Sequence, residues 1–153
     1  MKTALVMLML LAGSADELAA TTIGNLKLSV PAAWNKTDQG GGTTRFAAPS
    51  GEAYFEIDVS QVQRPGGMPA EECIQKIKTG IGGEWQPLSI GAAPAAVKQE
   101  VHTDEAGKQF VSRTYVGCNG KTTWSVMFNL VAPKKERFAP LADKVAQSIQ
   151  YAR

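Results

Sequence analysis

Apolar residues along this chain recur with two different periods. Residues 108–118 read KQFVSRTYVGC, residues 121–131 read KTTWSVMFNLV, and Asn119-Gly120 joins them. Two alternating runs around Asn-Gly are the strongest short-range signal for a β-hairpin. A two-residue turn sets Cys118 opposite Lys121, Tyr115 opposite Trp124 and Val111 opposite Phe128, with φ > 0 at both turn residues. One face then carries Val111, Tyr115, Trp124, Val126, Phe128 and Leu130, which belong in a core. The other carries Phe110, Ser112, Thr114, Val116, Cys118, Thr123, Ser125 and Met127, and is only partly apolar.

Around this hairpin the same patterns place the other elements. Residues 23–30 (IGNLKLSV) alternate as a half-buried strand that Pro31 stops, and a bend follows that tucks the Trp34 indole under the sheet. Residues 35–42 (NKTDQGGG) contain no apolar side chain and read as an exposed loop. Residues 43–47 and 53–62 flank a Pro49-Ser50-Gly51-Glu52 turn as a second hairpin, with Glu56 and Asp58 on its outer face. The period then changes. Ala70, Cys73, Ile74, Ile77 and Ile81 recur at helical spacing behind Pro69, Glu71 and Glu72 favour the positive end, and Gly82-Gly83 closes the helix. Residues 85–90 form a strand in which Pro87 suits an edge. After a turn at residues 91–94, residues 95–103 pair with the run starting at Lys108, so a three-stranded meander precedes the last helix. That helix carries Phe138, Leu141, Ala142, Val145 and Ile149 on one stripe and starts near Ala139, because Pro140 belongs in a first turn.

The first residues read as a targeting segment. Lys2 precedes nine apolar residues (4–12, ALVMLMLLA), and Gly13-Ser14-Ala15 suits signal peptidase, with a later cut after Ala20 as the alternative. Nine residues are too few to span a bilayer, which takes about 20. The expectation is a signal peptide over 1–15, cleavage reaching as late as 20, and a single domain over 21–153. The exported chain, periplasmic or extracellular, then carries a net charge of only +1 or +3, without a basic stripe. That argues against nucleic acid and against a stable membrane anchor.

Two cysteines in an exported chain point to a structural disulfide, Cys73–Cys118. The alternatives are two separate buried thiols or a reactive pair, and the reactive pair lacks both CxxC spacing and a nearby histidine. His102, the single histidine, sits near Asp104-Glu105. One imidazole with nearby carboxylates can titrate or bind metal, but a strand-end histidine is ordinary, so no metal and no cofactor is assigned. There is no GxSxG and no catalytic motif, which makes a hydrolase the last of the functional readings. Arg113 breaks the pattern, falling on the aromatic face opposite Val126. Its stem can cover core edge while its guanidinium reaches solvent or an acid. A bulge can re-aim it, or it can capture a carboxylate or anchor a partner beside Tyr115. Trp85, next to Gly82-Gly83, is the tryptophan closest to the surface. Arg113, Trp85, Tyr115 and His102 are therefore the candidate binding residues.

The order strand, Pro-bend-Trp, hairpin, helix, antiparallel meander and helix resembles the PsbP-like superfamily, which includes bacterial DcrB-type exported proteins. The stretches that carry the likeness are LKLSVPAAW (26–34), the hairpin around 53–59, IGAAPA (90–95) and VAQSIQ (145–150). The resemblance implies an α+β fold, an antiparallel sheet of about six to seven strands with helices packed on it. Plant members assist the photosystem's oxygen-evolving centre, nuclear members bind a small GTPase, and many bacterial members have no assigned activity, so the scaffold does not set the function. The first reading is a non-catalytic binding or accessory module for a protein partner, of which an inhibitor- or immunity-like protein is one form. The alternative is a small-ligand, lipid or cation-binding protein using a cleft between sheet and helix. An apolar cavity beside Tyr115 and Trp124 would favour the alternative; a filled core would favour the first.

Overall fold

The computed structural model describes residues 17–152. The leader segment therefore lies outside the described residues. Ten strands and two α-helices follow in the order β1 (Leu18–Ile23), β2 (Leu26–Pro31), β3 (Asn35–Gly40), β4 (Thr43–Ala47), β5 (Ala53–Gln61), α1 (Ala70–Ile81), β6 (Gln86–Ile90), β7 (Ala93–Thr103), β8 (Gln109–Cys118), β9 (Thr122–Val131), α2 (Lys135–Gln147) and β10 (Gln150–Tyr151). Seven strands pair in the order β3-β4-β5-β9-β8-β7-β6, and β1, β2 and β10 form a separate three-stranded sheet. Each pairing is antiparallel. The fold is α+β, with a seven-stranded sheet and helices on both of its faces.

The faces expected for the 108–131 hairpin are the faces observed. Tyr115, Trp124, Val126, Phe128 and Leu130 are buried in one cluster with Leu26, Leu28 and Val30 of β2 and Phe138, Leu141 and Val145 of α2, and Val111 is buried as well. This is the inner face, covered by the small sheet and α2. On the outer face Val116, Cys118 and Ala96 form a second cluster with Cys73 and Ile74 of α1. Cys73 and Cys118 are joined, sulfur to sulfur at 2.10 Å with Cα atoms 6.2 Å apart.

The register differs from the expected one. Cys118 faces Thr123, Tyr115 faces Val126, Val111 faces Leu130, and Arg113 faces Phe128 rather than Val126. The slip is two residues, and an even slip leaves every side chain on its face. Its cause is the Asn119 side chain, which accepts N–H bonds from Lys121 at 3.0 Å and Thr122 at 2.8 Å and widens the loop. Of the two turn residues only Gly120 has positive φ, +97°. A side chain at Gly120 would also run into the Met68 carbonyl, while the Gly120 carbonyl accepts from Met68 N–H at 2.9 Å. The turn is thus pinned to the loop that leads into α1.

Four further expectations are corrected. The 23–30 run is a hairpin, β1 and β2, turning at Gly24-Asn25, and β1 begins at Leu18. Residues 35–40 are a strand and not a loop: all six are exposed, so β3 is held by main-chain pairing to β4, to which hydrophobic periodicity is blind. The meander has four strands, because Gly91-Ala92 is a tight turn with both φ values positive and β6 pairs with β7 from Ile90↔Ala93 onward. Finally, α2 starts at Lys135, four residues earlier than expected, with Pro140 inside it. Pro140 and Glu136, whose carbonyl loses its donor, are both exposed, so water replaces the missing bond. The helix stops at Gln147, where Ser148 Oγ donates to Val145 O and accepts from Ser29 N–H. Tyr151 therefore belongs to β10, paired with Leu26.

Candidate functional site

Pairing places one side-chain row after another on the outer face beyond the end of α1. Lys98, Glu100 and His102 alternate along β7, opposite Thr114, Ser112 and Phe110 of β8. Met127 and Ser125 of β9 follow, and then Glu56 and Asp58 of β5. These rows form an open groove of about 300 Å³. Ser112, Thr114, Ser125 and Met127 make its floor, and Ile81 closes the end next to α1.

The charges around the groove are mostly paired. Arg45 Nε donates to Glu56 Oε1 at 3.0 Å and Thr43 donates to Asp58. Lys98 Nζ donates to Glu100 Oε1 and to the Gly82 carbonyl, both at 3.2 Å. His102 Nε2 lies 3.9 Å from Glu100 Oε2. Glu56 is therefore ion-paired with Arg45, while Asp58 is held by the neutral Thr43 hydroxyl. Among the described residues no group of three or more His, Cys, Asp or Glu side chains converges as a metal site.

Of the four candidate residues, His102 lines this groove and Trp85 lies beside it, linked to it through Lys98. Trp85 is half-buried; its Nε1 donates to the Gly82 carbonyl at 3.1 Å, and Lys98 Nζ stands 5.3 Å from its ring centroid. Trp85, Lys98, Glu100 and His102 thus form one chain of contacts along β7. The signal was available, since residues 98, 100 and 102 share a strand face.

The other two candidates, Arg113 and Tyr115, meet on the inner face, far from the groove in the layer order. Arg113 Nε donates to the Tyr115 hydroxyl at 2.7 Å, Nη2 donates to Asp143 of α2 at 3.0 Å, and Nη1 donates to Gln99 at 3.2 Å. Tyr115 donates to the same Asp143 oxygen. Burial alone would lower the Arg113 pKa, but its bonds and charge contacts with Tyr115 and Asp143 outweigh that and hold it above the usual range. Burial, reinforced by the bond to Asp143, pushes the Tyr115 phenol well above its ordinary range. The trio clamps α2 to the sheet, which answers the Arg113 question with an acid at the core edge.

The raised phenol makes a pH prediction. A proton held more tightly in the folded state gives stability that is complete below the ordinary phenol pKa near 10 and lost as pH rises above it. Burial raises Tyr151 in the same direction. Denaturant melts between pH 8 and 11 should show stability falling above about pH 10, with a shallower fall in Tyr115→Phe. Equal slopes would contradict the clamp.

Tyr115 and Trp124 themselves are 1% and 2% exposed, and Trp124 Nε1 donates to the Tyr151 hydroxyl at 2.9 Å. A methyl group added at Gly117 would sit inside the Trp124 indole. The core is filled beside Tyr115 and Trp124.

This layer order can be set beside known structures. The solution structure of cyanobacterial PsbP (CyanoP) from Synechocystis sp. PCC 6803 aligns with a TM-score of 0.58 at 11% identity, over 88% of this chain and 91% of that one. The chain has a PsbP-like fold. LpqN of Mycobacterium tuberculosis, described as involved in cell envelope biogenesis, aligns with a TM-score of 0.63 at 9% identity, over 90% and 91% of the two chains. A Bacteroides thetaiotaomicron VPI-5482 crystal structure aligns with a TM-score of 0.72 at 16% identity over 90% of this chain, which spans 48% of that protein. No protein-family model and no curated protein matches the sequence. These identities speak for the PsbP-like fold alone.

Proposed function

We propose that this PsbP-like domain is an exported, non-catalytic accessory module that holds a protein partner against the outer face of its seven-stranded sheet. The observation that carries the reading is the filled inner layer at Gly117, Tyr115, Trp124 and Tyr151, where rings and backbone occupy the space beside Tyr115 and Trp124. The outer face, by contrast, is covered among the described residues only where α1 crosses it, and the groove beside Ile81 offers a methionine and hydroxyls within a rim of charges. Such a surface suits a polar-rimmed protein contact.

Export is supported by the leader pattern of residues 1–15 and by the Cys73–Cys118 bond, which persists in oxidising compartments. No helix among the described residues is long and apolar enough to cross a membrane. Cleavage after Ala15 leaves β1 whole, whereas cleavage after Ala20 would remove half of its pairing with β2. The earlier cut is therefore the one we assign.

Capture from the exported fraction tests the reading. Wild type should retain a partner that Met127→Arg, which fills the groove floor, loses by tenfold or more, a drop of about 1.4 kcal/mol. Lys27→Glu, on the small sheet, should retain it. Equal capture by all three would overturn the assignment.

A further inference from the structure

Besides the outer sides of its edge strands β3 and β6, the seven-stranded sheet leaves the end of β7 without a neighbour on one side among the described residues. β6 stops at Gln86, opposite Val97, while β7 runs on to Thr103. In a hairpin closed by two residues the flanking pair exchanges both of its hydrogen bonds, and the pattern alternates from there. With Ile90↔Ala93 as that pair, odd-numbered residues of β7 point their main-chain groups toward β6. The Asp104 N–H, which bonds Lys108 O at 2.9 Å across the β7–β8 hairpin, agrees with even numbers pointing the other way. Gln99, Val101 and Thr103 therefore present N–H and C=O groups at an open edge, and such an edge is a template for another strand. Val101 in its middle is 63% exposed, more than the other exposed large hydrophobic among the described residues, Ile81 at 47%.

We propose that this edge pairs with the same edge of a second copy of the chain, antiparallel about a two-fold axis at Val101. The sequence there is self-complementary. The axis sets Val101 against its symmetry mate, Gln99 against Thr103, and Glu100 against His102. The last pair occurs twice, and an imidazole N–H can donate to a carboxylate in either protonation state. A register centred on Glu100 would instead oppose two carboxylates, which is unfavourable across strands. Five residues a side is small beside the roughly 1,200–2,000 Å² of stable interfaces, so the dimer is weak and concentration-dependent. It leaves Met127 and the groove floor free.

Sedimentation equilibrium of the exported chain, from about 10 µM to about 1 mM, reads the association directly. Wild type should approach the dimer mass at the upper end. Val101→Lys, at an exposed position and checked for fold by circular dichroism, should weaken association about tenfold or more, as should Glu100→Lys. Combining Glu100→Lys with His102→Glu restores an opposite-charge pair and should bring association back to within about threefold of wild type. A wild type that stays monomeric throughout, or association untouched by Val101→Lys, would overturn the proposal. A monomer whose β7 edge becomes protected only when another protein's extended segment binds would give the edge to that partner and likewise overturn it.

Discussion

Replacing Cys73 and Cys118 together with alanine is expected to remove about 4 kcal/mol of stability, the chain-entropy value for their 45-residue separation. α1 has little else to hold it. Its buried contribution is Cys73 and Ile74, it has no side-chain N-cap bond, and its other apolar end, Ile81, is exposed. The helix rests on Ala96 and Val116, two small residues of the sheet. For a domain of this size the loss corresponds to a fall in melting temperature of roughly 10–20 °C. Thermal melts with and without reductant should separate wild type by a similar amount and leave the double variant unmoved. An unchanged melting temperature would show that packing alone holds α1.

Gly117→Ala is expected to destabilise the domain by about 3 kcal/mol, through overpacking rather than backbone strain. Gly117 faces Trp124 across the β8–β9 pairing, and its missing side chain is the space the indole occupies. The indole cannot step aside, because its N–H is bonded to Tyr151 and the ring is sealed in the core. Combining Gly117→Ala with Trp124→Phe should recover part of the loss, since a smaller ring vacates the site. Urea unfolding of the three variants measures this. An alanine variant within 0.5 kcal/mol of wild type would mean that the core has slack beside Tyr115 and would reopen the ligand reading.

What the sequence disclosed, and what it hid, follows from which force set each feature. Burial patterns found the two faces of β8 and β9, the α1 stripe and the cysteine pair, because each rests on apolar periodicity or on side chains of a rare type. Main-chain pairing found nothing: β3 carries no apolar residue, and β10 is two residues long, so neither leaves a periodic trace. The two-residue register slip was invisible for a related reason, since it moves no side chain to the other face. The Asn119 side chain decided it. At the sites, Arg113 stood out because a cation fell on an aromatic face, but Asp143, its partner, lies 30 residues away on a helix whose exposed positions carry no pattern. Trp85 and His102 were picked singly as surface residues. Lys98 and Glu100, which join them, carry no sign in the sequence that the end of α1 lies beside them.

The central claim is that the outer face of the sheet is the working face and the inner face is structural. A photo-crosslinking amino acid placed at Met127 in the groove, and in a second protein at Lys27 on β2, tests it within the exported fraction. Both positions sit on ordered strands, so both proteins should fold. The account predicts a discrete crosslinked protein from Met127 and none from Lys27. Crosslinking from Lys27 alone would place the partner on the small sheet and contradict it.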